Sequence, residues 1–239
     1  MITGIDNENQ FVICFNRANN FFDLNKNLQK IVLKLNNDII PSKISAIKYG
    51  GTNKADLSIK LDENEYTISV KKGSGNSLHQ ENMEVFIQFL KTNIENNETV
   101  FNAIRFFIWG DKSFDGSGEI YDRMSATEIK KKYPKIIEII QPYFDRNKDK
   151  LIKRFIIDGA KSKKKAQYIL YGSVDSCTII SEQKVFQFAK NQNKEPLSIG
   201  VLTFQAWNRN INGRIDMEHR RGQIQLKWAT IKTDLLSII

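Results

Sequence analysis

Structural zinc chemistry is closed to this chain by what it lacks. It has two cysteines and two histidines in 239 residues, and His79 and His219 are too far apart in sequence from each other and from Cys14 and Cys177 to build a four-ligand cluster. Each cysteine is flanked by apolar residues, so both are expected as buried, reduced thiols. No apolar run approaches the roughly 20 residues that span a bilayer, which argues against a membrane partner. The first nine residues are polar and acidic and do not resemble a secretory leader. A cytoplasmic, reducing setting is the default expectation. Internal repeats and low-complexity linkers are absent, so one domain spanning 1–239 is expected.

Acidic residues are in short supply: 27 Asp and Glu stand against 36 Lys and Arg, a formal net charge of +9. That balance favours a polyanionic partner, of which nucleic acid is the commonest. Hydrophobic residues make up 41% and aromatics 10% of the chain, enough for a packed core.

Helical spacing of Leu24, Leu28, Ile31, Val32 and Leu35 predicts a helix over 22–40, ending before Pro41. Two strand-like runs follow, 55–61 and 66–70, with Asp62, Glu63 and Asn64 as the hairpin connection. Ser77 followed three residues later by Gln80 has the form of a capping box and predicts a helix running to about Ile94. Further helical stretches are expected over 100–108, from Ser125 with breaks at Pro134 and Pro142, and over 183–191. Strands are expected near 167–171, 199–205 and 222–228, and a strand or turn at 178–180. Two clusters of strands separated by helices imply an α/β fold, with a sheet flanked by helices.

The chemistry concentrates in Gly50-Gly51-Thr52-Asn53-Lys54-Ala55-Asp56 and Ile68-Ser69-Val70-Lys71-Lys72-Gly73. Asp56 opens the first strand of the hairpin and Lys71 closes the second, so antiparallel pairing across a short turn brings them together. A carboxylate beside an ammonium at the open end of a sheet suits a divalent metal and an oriented water, the needs of phosphodiester hydrolysis. Mg²⁺ is usually held by one or two carboxylates, with water and phosphate completing its shell. A second acid is expected from the following helix, where Glu81 lies at the edge of the apolar stripe and Glu84 points further out; Glu81 is preferred.

Asp56 followed by Ser69-Val70-Lys71, with the Gly-Gly-x-x-Lys-x-Asp lead-in and the Lys-Lys-Gly-Ser exit, resembles the catalytic core of the PD-(D/E)XK nuclease superfamily, which includes most type II restriction endonucleases. The likeness covers about 40 residues. It departs from the usual pattern at Ala55, where proline is frequent, and at Ser69, where an acid is usual. The resemblance implies a restriction-endonuclease-like mixed central β-sheet flanked by α-helices, Mg²⁺ held by Asp56 and Glu81, and Lys71 positioning or deprotonating the attacking water. The carbonyl or hydroxyl of Ser69 would assist. The catalytic core would occupy about 22–110 and DNA-recognition elements about 160–230.

Two arginine- and amide-rich stretches carry side chains whose forked ends pair with guanine and adenine in the major groove: Arg209, Asn210 and Arg214, then Arg220, Arg221, Gln223, Gln225 and Lys227. Over 222–228, Gln223, Gln225 and Lys227 share one face, and Ile224, Leu226 and Trp228 the other. A solvated outer strand with a basic turn is the competing reading. The basic region 130–165, densest at Lys163, Lys164 and Lys165, fits either sequence-independent phosphate contacts or a solvated helix face.

The expected function is a Mg²⁺-dependent, site-specific endonuclease acting on double-stranded DNA as a monomer or homodimer. The alternatives are a structure-specific repair nuclease of the same fold and a non-catalytic DNA-binding module.

Overall fold

The computed structural model describes residues 4–51, 53–73, 77–160, 162–192, 196–207 and 215–238. In chain order, helices α1 (Gly4–Arg17) and α2 (Lys26–Leu35) precede strands β1 (Ile44–Lys48), β2 (Leu57–Leu61), β3 (Asn64–Lys71) and β4 (Ser77–Asn82). Helices α3 (Met83–Asn93), α4 (Glu98–Trp109), α5 (Ala126–Lys132), α6 (Pro134–Arg146) and α7 (Lys148–Ile152) follow, then a π-helical segment, Lys153–Asp158. The chain closes with β5 (Tyr168–Ser173), β6 (Ser176–Ser181), α8 (Glu182–Lys190), β7 (Ser198–Ile199), β8 (Leu202–Ala206), β9 (Gln223–Lys227) and α9 (Ile231–Ser237). This is a mixed α/β chain, and no helix among the described residues is long and apolar enough to cross a membrane.

The chain forms two compact units: Met1–Asn76 with Ile156–Phe188 and Thr230–Ile239, and Ser77–Phe155 with Ala189–Ala229. The stretches 22–110 and 160–230 each contribute to both.

The first unit is built on a five-stranded sheet of order β1-β2-β3-β5-β6. It is mixed: β1, β2 and β3 run antiparallel in sequence, β5 joins β3 in parallel, and β6 returns antiparallel. The β2–β3 turn sits at Asp62-Glu63, with Asp62 at φ 52°, a left-handed position that Asp tolerates. The Asp62 carboxylate accepts from Ser42 N, Ser42 Oγ and Lys43 N, tying the turn to the start of β1. Phe11 and Phe15 of α1 and Leu28, Ile31, Val32 and Leu35 of α2 close over Leu57, Ile59, Ile68 and Val70. At roughly 1.5–3 kcal/mol per fully buried large apolar side chain, this core is the main force holding the hairpin in place. The β1 edge is capped by a side chain: the Asn16 amide donates to Ala46 O and accepts from Ala46 N, at 2.9 and 2.7 Å.

The second unit carries a four-stranded sheet of order β4-β9-β8-β7. Its core is aromatic: Phe204 of β8 lies 5.0 Å from Phe144 and 5.9 Å from Phe86, ring centre to ring centre. Ile224, Leu226 and Trp228 are fully buried.

Several expectations of local structure change. The helix over 22–40 is shorter: a 3₁₀ turn at Phe21–Asp23 precedes α2, which Asn25 caps at Lys26. More consequentially, Ser77–Asn82 is not the first turn of a helix but strand β4, paired antiparallel with β9. The cap of α3 is Asn82, whose Oδ1 accepts from Glu84 N and Val85 N. Ser77 and Gln80 do hydrogen-bond each other, but side chain to side chain, at 2.9 Å. Elsewhere the capping chemistry is local: Ser125 and Glu128 form a capping box opening α5, and Pro134 starts α6. Pro142 lies inside α6 without ending it. The cysteines are free but half-buried, not buried, and desolvation pushes the Cys177 thiol up to about 12.

Candidate active site

Asp56 sits at the mouth of the β2–β3 hairpin. Its N–H donates to Ile68 O at 2.8 Å, and its carbonyl accepts from Tyr49 N at 2.9 Å. This fixes the backbone just ahead of the first ladder pair, Leu57 with Ile68. One carboxylate oxygen, Oδ2, then accepts three bonds from the facing strand: Ser69 Oγ at 3.0 Å, Val70 N at 2.6 Å and Lys71 Nζ at 3.3 Å. Oδ1 takes none of them. Lys71 also donates to Val70 O at 3.0 Å. The side chains of Asp56 and Lys71 keep 24% and 20% exposure, while Ser69 is 1% exposed. The pair is therefore reached by solvent on a rigid floor. Ser69 donates to the carboxylate and does not add a second acid.

The lead-in to Asp56 is clamped by a segment more than a hundred residues away. Lys54 N and Ala55 N donate to Lys164 O at 3.2 and 3.1 Å, and Lys54 N also donates to Ser162 Oγ at 2.7 Å. In return Lys164 N donates to Asn53 Oδ1 at 3.2 Å. Gly159, at φ +73°, passes so close that a Cβ there would lie 3.2 Å from that of Lys54. The basic segment is thus stitched to the strand that begins at the candidate carboxylate. Lys163 is exposed. Lys164 lies 3.8 Å from Glu65 and over the Tyr49 ring, and Lys165 pairs with Asp158 at 2.9 Å. Asn53 and Ser162 are site-shaping residues that sequence reasoning missed, since no short-range pattern marks a partner 108 residues distant.

Glu81 belongs to the second unit and lies in β4 instead of on a helix, opposite Ile224. Its side chain is 4% exposed. Arg154 reaches both oxygens, Nε to Oε1 at 3.1 Å and the terminal nitrogen to Oε2 at 2.5 Å, and His79 Nε2 lies 3.0 Å from Oε1. Burial pushes the carboxyl pKa up, but the bonds from His79 and Arg154 outweigh it and hold the group below the ordinary glutamate range. The Arg154 guanidinium stacks on the Phe89 ring at 4.0 Å. With both oxygens spent in this way, Glu81 is an ion-pair partner of Arg154, and the candidate site is built here without it. Glu84 is exposed and forms a forked pair with Arg105, at 2.8 and 3.0 Å.

The expected base-reading residues divide. Arg209, Asn210 and Arg214 lie outside the described residues. Arg220 stacks over Trp207 at 4.8 Å. Arg221 is 9% exposed and donates to Glu218 at 2.9 Å and to the buried Asp111 at 2.8 Å. Asp111 is also desolvated, yet bonds from Ser113 and Arg221 keep its pKa low. Arg221 thus closes a buried charge pair and does not stand in an exposed fork. Gln225 is likewise buried, at 6% exposure, so the polar face it shares with Gln223 and Lys227 is not open along its whole length. Gln223 and Lys227 are half-buried.

Among the described residues, no group of three or more His, Cys, Asp or Glu side chains is gathered to hold a metal ion. Asp56 Oδ1 fits a magnesium ion as a single carboxylate ligand, because Mg²⁺ keeps most of its shell as water and phosphate oxygen. No protein-family model matches the chain, and no curated protein matches it.

Proposed function

We propose that the chain is a Mg²⁺-dependent endodeoxyribonuclease of the type II restriction kind, with the restriction-endonuclease-like fold of the PD-(D/E)XK superfamily, hydrolysing phosphodiester bonds at a defined sequence in double-stranded DNA. The observation that carries this reading is the Asp56 carboxylate: three donors from Ser69, Val70 and Lys71 converge on one oxygen of a side chain that keeps 24% exposure, and the other oxygen takes none of the three. The mixed sheet, with an antiparallel hairpin and a parallel neighbour on β3, supports it. The stitched basic segment supports it further, since exposed lysine beside a hydrolytic centre suits a phosphate backbone.

The roles follow from the geometry. Val70 N and Ser69 Oγ hold the Asp56 carboxylate through Oδ2, and its other oxygen would serve as a ligand for Mg²⁺. When bound, the ion supplies charge neutralisation at the phosphate and lowers the pKa of a bound water. Lys71 Nζ, held beside Asp56, releases one of its two acceptors to orient the attacking water and to offset charge developing on the phosphoryl oxygens.

Incubation of the full chain with phage-sized DNA and Mg²⁺, followed by a gel, tests the reading. Discrete fragments are expected. A smear would indicate a nuclease without sequence preference. Unchanged DNA with retained binding would replace this reading with that of a non-catalytic DNA-binding module.

A further inference from the structure

Within the second unit, the register of β8, β9 and β4 puts Gln205 beside Gln225 and Gln225 beside Gln80. Their side chains form a ladder across three strands. Gln205 Nε2 donates to Gln225 Oε1 at 2.8 Å, Gln225 Nε2 donates to Ser77 Oγ at 3.0 Å, and Gln80 Nε2 donates to the same Ser77 Oγ at 2.9 Å. The central amide is buried and engaged at both ends. The outer two differ: Gln80 is exposed and Gln205 half-buried, and each uses only one N–H in the ladder, so a second N–H and Oε1 remain outside it. An amide with one free donor and one free acceptor is the fork that pairs with adenine N7 and N6 in the major groove. The outer strands of three lie about 10 Å apart, within the roughly 12 Å width of that groove. None of the ladder residues is acidic, and Lys227 stands on the same face of β9, a charge arrangement that admits a polyanion.

We infer that this amide row is the sequence-reading surface, that Gln205 and Gln80 each read adenine in an A·T pair, and that buried Gln225 is a positioning residue that orders them. This rests on double-stranded DNA being the substrate, as proposed above.

The test uses the full-length chain carrying Lys71→Ala, so that bound DNA is kept whole. Duplexes are selected from a randomised library, the preferred sequence is read, and the selection is repeated with Gln205→Ala and with Gln80→Ala added. Both changes fall at positions that are not fully buried, and thermal melting checks that each variant is folded. The expected preference contains A·T pairs. Each variant loses the preference at one of them, with binding to the selected duplex weaker by about 5- to 150-fold and scrambled duplex unaffected. Replacing that adenine by 7-deazaadenine weakens the Lys71→Ala parent but not the corresponding glutamine variant. The inference is overturned by a preference without A·T pairs, by glutamine variants that keep the parent's preference, or by failure to select any duplex. Selection as expected by a chain whose unmutated form cuts nothing would sink the nuclease reading alone. Site-specific cutting indifferent to both glutamines would sink this one alone.

Discussion

Lys71 Nζ lies 3.3 Å from Asp56 Oδ2 and 3.0 Å from the carbonyl of Val70, its own neighbour in β3. The ammonium is therefore restrained by two acceptors, and the carboxylate it touches is restrained by two further donors. Neither group depends on the other to keep its place, so the pair can be dissected by single substitutions without loss of the hairpin.

Asp56→Asn and Lys71→Met should each lower Mg²⁺-dependent cleavage by at least about 100-fold while leaving DNA affinity within a few-fold, because phosphate contacts elsewhere dominate binding. The pair is partly exposed, so neither change should cost more than about 1 kcal/mol of stability. Cleavage gels run beside binding isotherms decide the point. Near-normal cutting by either variant would remove this pair from the chemistry.

Ser69→Ala removes one of three donors to a partly exposed carboxylate and should cost about 0.5–1 kcal/mol in urea unfolding. Cleavage should slow less than in Asp56→Asn, since Val70 N still holds the carboxylate at 2.6 Å. A Ser69→Ala variant as dead as Asp56→Asn, yet as stable as the parent, would make the hydroxyl itself part of the chemistry.

Glu81 and Arg154 form a buried pair, and removing one partner leaves the other charged and unsatisfied. Glu81→Gln alone should destabilise the protein by about 3–5 kcal/mol, and Glu81→Gln with Arg154→Met by clearly less. The folded-state pKa of Glu81 is lowered. Its contribution is therefore complete above the unfolded-state value and disappears as pH falls through the lower folded one. Wild type should lose stability more steeply on acidification in that window than the double variant does. Parallel curves for the two, measured by urea denaturation against pH, would contradict the assignment.

Arg221 and Lys163 should respond oppositely. Arg221→Ala strands Asp111, itself 2% exposed, and should cost about 3–5 kcal/mol of stability. Lys163→Ala should leave melting unchanged and reduce the salt dependence of DNA binding by about one phosphate contact, a change in log–log slope near 0.9. An Arg221→Ala protein of normal stability that fails only on its target sequence would return that side chain to base reading.

Much of the hairpin was legible because its information is local. Asp56 and Lys71 are 15 residues apart, and a short turn with alternating apolar residues sets their register without help from the rest of the chain. Ser125 with Glu128 and Ser77 with Gln80 share one sequence pattern, although only the first caps a helix. Both have a hydroxyl three residues before a group able to reach back. The second lies on a strand because β9, nearly 150 residues on, offers a ladder of backbone partners that no helix end could match.

By itself the amino-acid sequence determined the alternation that buries Ile224, Leu226 and Trp228, the basic balance, and the meeting of a carboxylate with a lysine across one turn. Tertiary structure alone decided which polar groups are free to act. It enclosed Arg221 with Asp111 and Glu81 with Arg154, sank Gln225 between Gln205 and Ser77, and stitched Ser162 and Lys164 to Lys54. The physical reason is that a charged or amide side chain looks equally available in any sequence. Its fate is set by whether a partner arrives from a distant segment to satisfy it once water has been removed.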